Sequence, residues 1–208
     1  MHESVQKLIQ IEKLVKSKDS DLKKITIIAI SKTFKLEKIF PLIDYGHLDY
    51  GENKVQEALD KWSDIKSKKP DIKLHLVGKL QNNKVKFAVK IFDFIHSVDT
   101  KKLAKKIADE ELKVKKKIKI FIQVNIGNEN QKSGVNKEEL EELFLYCKSL
   151  NLDVIGLMCL PPANHDPDPF FRELNALNKK LNLTELSMGM SSDYVKAIEH
   201  SSTYLRIG

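Results

Sequence analysis

Short apolar, β-branched runs alternate with longer amphipathic stretches along almost the whole sequence, and few folds accept that order. Ile25 to Ile30 (Ile-Thr-Ile-Ile-Ala-Ile) has the near-continuous apolar character of a strand buried on both faces. Further strand-like runs follow at His47 to Tyr50, Lys73 to Val77, Phe92 to Val98, Ile118 to Ile126, Asp153 to Met158, Glu185 to Met188 and Thr203 to Ile207. Helical patterns separate them at Leu36 to Tyr45, Lys54 to Trp62, Asn83 to Lys90, Lys101 to Leu112, Lys137 to Leu150, Pro169 to Leu181 and Ser192 to Glu199. Residues 3 to 17 add an amphipathic helix in front, with Val5, Leu8, Ile11 and Val15 at helical spacing.

Strands that alternate with helices pair in parallel through right-handed crossovers. Eight such units close most naturally as a (β/α)8 barrel, an α/β TIM barrel with an extra N-terminal helix. An open doubly wound sheet is the alternative. That fold usually carries a glycine-rich phosphate turn after its first strand, where this chain has Ser31-Lys32-Thr33. The expected organisation is one domain over residues 1–208, with a helical segment at 1–24 and the barrel at 25–208. Pro41 is at odds with the middle of its helix pattern and would suit a helix beginning near it. Lys66 to Lys69 and Lys115 to Lys117 look like exposed turns, and Pro161 to Pro169 reads as a rim loop.

Composition narrows the function classes. With 41% apolar and 31% charged residues the sequence is that of a soluble globular protein, and no apolar run nears the roughly 20 residues of a membrane span. The N-terminus lacks the basic-then-apolar order of a signal peptide, so the expectation is a cytoplasmic protein without a membrane partner. Cys147 and Cys159 are widely spaced in apolar surroundings and suggest core packing, not a disulfide or a metal site. The net charge of +7 comes from 34 lysines against two arginines, spread over every helical segment. Nucleic-acid recognition leans on arginine forks and interleaved aromatics, so these lysines read as solvated faces.

In a barrel the C-terminal strand ends converge on one mouth, where ligands bind. Lys32 ends the first strand, either as an imine-forming amine or as a solvated loop residue. The other ends hold Gly51-Glu52-Asn53, His75 with Gly78-Lys79, His96-Ser97, Gln123 and Asn125, Gly156-Leu157-Met158, Ser187 to Ser192, and Arg206-Ile207-Gly208. Amides, hydroxyls and one of two arginines at apolar strand ends are hard to explain by packing. Ser187 to Ser192 suits either a phosphate or an ordinary strand-to-helix turn capped by Ser191, Ser192 or Asp193. His75 and His96 read first as hydrogen-bonded core residues.

Taken together, several stretches resemble the pyridoxal 5'-phosphate homeostasis protein family, whose barrel is similar to the N-terminal domain of alanine racemase. They are Ala29-Ile-Ser-Lys-Thr33, Asp49-Tyr-Gly-Glu-Asn53, His75-Leu-Val-Gly78 with Leu80-Gln-Asn-Asn-Lys84, and Ile95-His-Ser-Val-Asp99. Gln123-Val-Asn125, Lys132-Ser-Gly134, Gly156-Leu-Met158, Leu186 to Ser191 and Arg206-Ile-Gly208 complete the set, which spans residues 25 to 208.

The resemblance implies a pyridoxal 5'-phosphate cofactor held as a Schiff base by Lys32, with Asn53 and Met158 around its ring. Ser191 and the Gly208 backbone would hold the phosphate and Arg206 would face the pyridine nitrogen, with His75 and Ser187 as further cofactor-binding candidates. An arginine there leaves the ring a weak electron sink, which discourages carbanion chemistry. The implied function is vitamin B6 homeostasis without catalytic turnover, by a monomer whose recipients are pyridoxal-phosphate-dependent apoenzymes. The alternative is an amino-acid racemase of the alanine racemase type, which needs a second base from a tyrosine on a further domain that 208 residues leave no room for. Family members also run on past Arg-Ile-Gly with a phosphate-side turn and a closing helix, so the barrel is expected to have its last helix absent or truncated at Gly208.

Overall fold

Strand β1 (Thr26–Ile30) pairs in parallel with β2 (Asp49–Glu52) on one side and with β8 (Tyr204–Ile207) on the other, so Ala29 lies opposite both Tyr50 and Ile207. That pairing closes the sheet. In the computed structural model, which describes residues 1–18, 25–129 and 133–208, the other strands follow in chain order: β3 (Lys73–Leu76), β4 (Phe94–Val98), β5 (Lys119–Gln123), β6 (Asp153–Met158) and β7 (Glu185–Met190). Helices α2 (Leu36–Tyr45), α3 (Val55–Lys68), α4 (Val85–Ile91), α5 (Lys101–Val114), α6 (Leu140–Ser149), α7 (Asp168–Lys180) and α8 (Tyr194–Glu199) connect them. The extra helix α1 (Glu3–Lys18) packs against α2 and α8.

The expected (β/α)8 architecture is therefore the observed one. Side chains alternate along each strand, so each contributes to two cores. Outside the barrel, Tyr50, Leu74, Leu76 and Ile95 meet helix faces carrying Ile39, Ala58, Trp62, Leu103 and Phe171, all buried. Inside, Phe94, Phe121 and Met158 form a small aromatic core, on which His75 and His96 stack with ring centroids 4.2 and 4.4 Å away. Room on the inner face is limited. A Cβ at Gly51 would fall 2.5 Å from Ile30 Cδ1 and 2.9 Å from Ile28 Cγ2, so any larger residue there would have to displace both isoleucine side chains.

Several local expectations need correction. Helix α2 runs through Pro41 instead of starting there, because Ile39 and Ile43 on either side are buried and hold the turn. Lys66 belongs to α3 and pairs with Asp93, while the half-buried Lys116 donates to the carbonyl of Phe92 at 2.6 Å. Lys66 to Lys68 are therefore the last turn of α3, whereas Lys115 to Lys117 do form the expected turn between α5 and β5, with Lys115 and Lys117 exposed. The second strand lies at Asp49–Glu52, two residues later than the apolar pattern suggests. The Pro161 to Pro169 rim loop is tied to α8, since Lys196 donates to Asp166 Oδ1 at 2.7 Å.

Candidate functional site

The C-terminal strand ends enclose a cavity of about 550 Å³, walled by Lys32, Asn53, Gln123, Ser191, Arg206 and Gly208 among others. Five of the candidate residues thus share one space: Lys32, Asn53, Ser191, Arg206 and Gly208. Met158, Ser187 and His75 do not line it. They are fully buried inside the barrel beneath the mouth.

Lys32 is exposed on a short turn that is clamped from both sides. Ser31 donates its hydroxyl to Glu52 Oε1 at 2.8 Å, and its carbonyl accepts from Lys61 Nζ at 2.7 Å. Thr33 holds the left-handed φ of 66°, which a β-branched residue rarely adopts, and its N–H donates to Glu57 Oε1 at 2.5 Å. Lys61 sits at the centre, 2.8 Å from Glu52 and 3.0 Å from Glu57. The carboxyl of Glu52 is wholly buried and also accepts from Trp62 Nε1 at 2.9 Å. Sequence reading missed this clamp; its one local sign was the Glu57–Lys61 spacing of four on a helix.

Asn53 is placed by close backbone packing. A Cβ on Gly78 would lie 2.3 Å from the Asn53 carbonyl oxygen, so glycine at the end of β3 lets the two loops touch. Across the mouth, Ser191 Oγ donates to the Gly208 carbonyl and accepts the Gly208 N–H, both at 3.1 Å. Helix α8 begins at Tyr194, and Asp193 Oδ1 accepts the Met190 N–H at 2.6 Å. The turn therefore carries its own carboxylate, and at the cavity wall the Ser191 hydroxyl and the Gly208 backbone are paired with each other. Gln123 and Asn125 line the cavity and also brace the loop after β5: Gln123 Nε2 donates to the Ser133 carbonyl at 3.4 Å and Asn125 Nδ2 to that of Glu129 at 3.0 Å. Lys132 lies outside the described residues.

Arg206 is buried, and burial pushes its guanidinium below its ordinary value. Its Nη1 donates to Ser187 Oγ at 2.7 Å and its Nη2 to the Cys159 carbonyl at 2.9 Å. Of the five guanidinium N–H groups, these use two. Behind Ser187 the polar contacts continue, with His96 Nδ1 2.8 Å from the hydroxyl, His75 Nδ1 3.0 Å from His96 Nε2, and Asp49 Oδ1 3.0 Å from His75 Nε2. Burial pushes both imidazoles below their ordinary range, His96 well below it.

Residues 11–208 match the family described as alanine racemase, N-terminal domain. The pyridoxal phosphate homeostasis protein of Aquifex aeolicus is 41% identical over 192 residues, covering 88% of this chain and 83% of that protein. The chain belongs to the pyridoxal phosphate homeostasis protein family. Its human relative of that name is 35% identical over 202 residues, covering 88% of this chain and 74% of that protein. Among solved structures of this kind, PipY of Synechococcus elongatus with pyridoxal phosphate bound superposes with a TM-score of 0.84 at 31% identity, over 95% of this chain and 97% of that one. An alanine racemase from Clostridium difficile, at 12% identity and a TM-score of 0.73, shares the fold of this homeostasis-protein barrel alone.

Proposed function

We propose that this chain binds pyridoxal 5'-phosphate at the barrel mouth, holds it through Lys32 as a Schiff base, and so contributes to vitamin B6 homeostasis in the cytoplasm without turnover of its own. The observation that carries this reading is the convergence of Lys32, Asn53, Ser191, Arg206 and Gly208 on one cavity of about 550 Å³, a size ordinary for small-molecule sites. The donor set fits the group. Lys32 offers the amine, Arg206 has N–H groups left for the ring nitrogen, and the Ser191 hydroxyl and Gly208 N–H, which bond each other's residue here, would exchange that pairing for the phosphate. Asn53 flanks the ring, while Met158, Ser187 and His75 support it from below. When bound, pyridoxal phosphate supplies a carbonyl that condenses with an amine. Membership of the homeostasis family and the cofactor in PipY support the assignment.

Two features favour a binder over a racemase. A guanidinium at the ring nitrogen donates a hydrogen bond and leaves that nitrogen unprotonated, which weakens the ring as an electron sink. Among the described residues no tyrosine lines the mouth to act as a second base. The chain acts as a monomer, with pyridoxal-phosphate-dependent apoenzymes as recipients. Among the described residues no helix is long and apolar enough to cross a membrane.

Borohydride reduction of the yellow protein followed by peptide mapping tests the site. One equivalent of label on Lys32 is expected. Label on Lys79, which also lines the cavity, or spread over many lysines would overturn the assignment. Incubation with L-alanine in deuterium oxide tests turnover: rapid exchange at Cα that disappears in Lys32→Ala would make the protein an enzyme.

A further inference from the structure

A file of hydrogen bonds crosses the barrel interior, from Arg206 under the mouth to Asp49 at the N-terminal end of β2. Its order is Arg206, Ser187, His96, His75, Asp49, with successive distances of 2.7, 2.8, 3.0 and 3.0 Å. The four links join residues on β8, β7, β4, β3 and β2, so the file is a product of the closed barrel. Ser187, His75 and His96 are buried, and Asp49 is half-buried at the opposite opening.

The two ends fix its direction. A carboxylate can only accept, and a neutral imidazole has one donor and one acceptor nitrogen, so the order propagates from Asp49 through His75 and His96 to Ser187, where it meets a guanidinium that can only donate. Ser187 accepts from Arg206 and gives its proton to His96 Nδ1, the ring nitrogen left as acceptor. His96 then carries its proton on Nε2 and gives it to His75 Nδ1. His75 in turn carries its proton on Nε2 and donates to Asp49. Both imidazoles are neutral Nε2–H tautomers in this arrangement, and every ring nitrogen and the Ser187 hydroxyl has a partner.

We propose that Asp49, His75 and His96 are positioning residues for Arg206. The oriented file keeps the lone pairs of Ser187 turned toward Nη1, and with the Cys159 carbonyl on Nη2 it holds the guanidinium in one pose under the mouth. Asp49 is the terminal acceptor at the far end, while the carboxylate whose charge reaches Arg206 is that of Asp193. Among the described residues no carboxylate hydrogen-bonds Arg206 directly, and its hydroxyl partner is oriented through two imidazoles, a chain in which each bond polarises the next. The role of Arg206 toward a ligand rests on the pyridoxal phosphate reading; the tautomers and direction do not.

Two measurements on the full chain test this. In the ligand-free protein, long-range proton–nitrogen NMR should show Nε2–H tautomers for His75 and His96, both unprotonated at neutral pH. The charged groups around them are Asp49, Asp93 and Lys66 for His75 and Arg206 for His96, with Phe94, Phe121 and Tyr204 walling them from water. An Nδ1–H tautomer, or an imidazolium at neutral pH, at either site overturns the file.

In the second measurement, pyridoxal phosphate is titrated and followed by visible absorbance. Asp49→Leu, remote from the mouth, should weaken binding about three- to tenfold, the scale of one lost hydrogen bond, and Asp49→Asn, which still accepts from His75, should recover most of it. Wild-type affinity in Asp49→Leu, or an Asn variant no better than Leu, overturns the positioning role. Should Asp49→Leu fail to fold, Ser187→Ala takes its place, with Ser187→Thr as the conservative rescue. If the unmodified protein binds no pyridoxal phosphate, the functional reading fails while the NMR result still decides the file.

Discussion

Glu57 Oε1 accepts the N–H of Thr33 at 2.5 Å, one residue beyond Lys32. This bond, with the Ser31 carbonyl held by Lys61, pins the turn that carries the exposed amine. Glu57→Ala should release Thr33 from its left-handed conformation at a cost of about 1 kcal/mol. Faster hydrogen exchange at the Thr33 amide and a lower yield of borohydride-trapped label on Lys32 are the expected readouts. Unchanged exchange would show that Lys61 holds the turn alone.

Lys61→Met should be far more damaging than its place on a lysine-rich helix suggests. It leaves the Glu52 carboxyl, which has no exposed surface, with the neutral donors of Ser31 and Trp62 but no cation, and removing one partner of a buried pair costs about 3–5 kcal/mol. Urea denaturation would measure it. Adding Glu52→Gln to the same variant should recover part of the loss, because an amide is far cheaper to bury unpaired than a carboxylate.

Gly78→Ala should disturb the mouth through Asn53. The new methyl would lie 2.3 Å from a backbone oxygen, which cannot turn away as a side chain could. A destabilisation of about 1–3 kcal/mol is expected, with weaker cofactor binding in absorbance titrations. Gly46→Ala offers the contrast: no atom would meet its Cβ, and its cost comes from the left-handed φ of 97° alone.

Stability should fall with acid below pH 6.5. His47, His75 and His96 all have folded values lowered by burial from 6.5, so in acid the unfolded chain binds protons that the folded chain refuses. The contribution is complete above 6.5 and is lost as pH drops from there toward the folded values, at up to about 1.4 kcal/mol per pH unit for each site. Urea midpoints at pH 7.5 and 5.0 would reveal it, and a His96→Phe variant should show a shallower dependence.

Cys147 and Cys159 should resist alkylation in the folded protein. Both are fully buried, and burial pushes both thiols up to about 12. Reaction with iodoacetamide should follow unfolding in a urea series; labelling of either under native conditions would point to local opening at α6 or at the end of β6.

The order of strands and helices, the barrel closure, and Lys32 at the end of β1 were legible in the sequence. Those features rest on periodicity and turn chemistry, which act over a few residues and leave their mark in place. Membership of the family was legible for a similar reason, since its short pieces recur in order along the chain.

Other features depended on the register of a closed sheet. His75 and His96 stand 21 positions apart, and His96 and Ser187 stand 91 apart, yet each pair is within hydrogen-bonding distance across the barrel. The same register turned Glu52 outward onto Lys61 and Trp62, and set Gln123 and Asn125 to brace the loop that follows β5. Residue type and spacing set what each side chain can donate or accept. Only the closed barrel decides which partner it meets, because strand pairing brings together positions whose separation along the chain leaves no periodic trace.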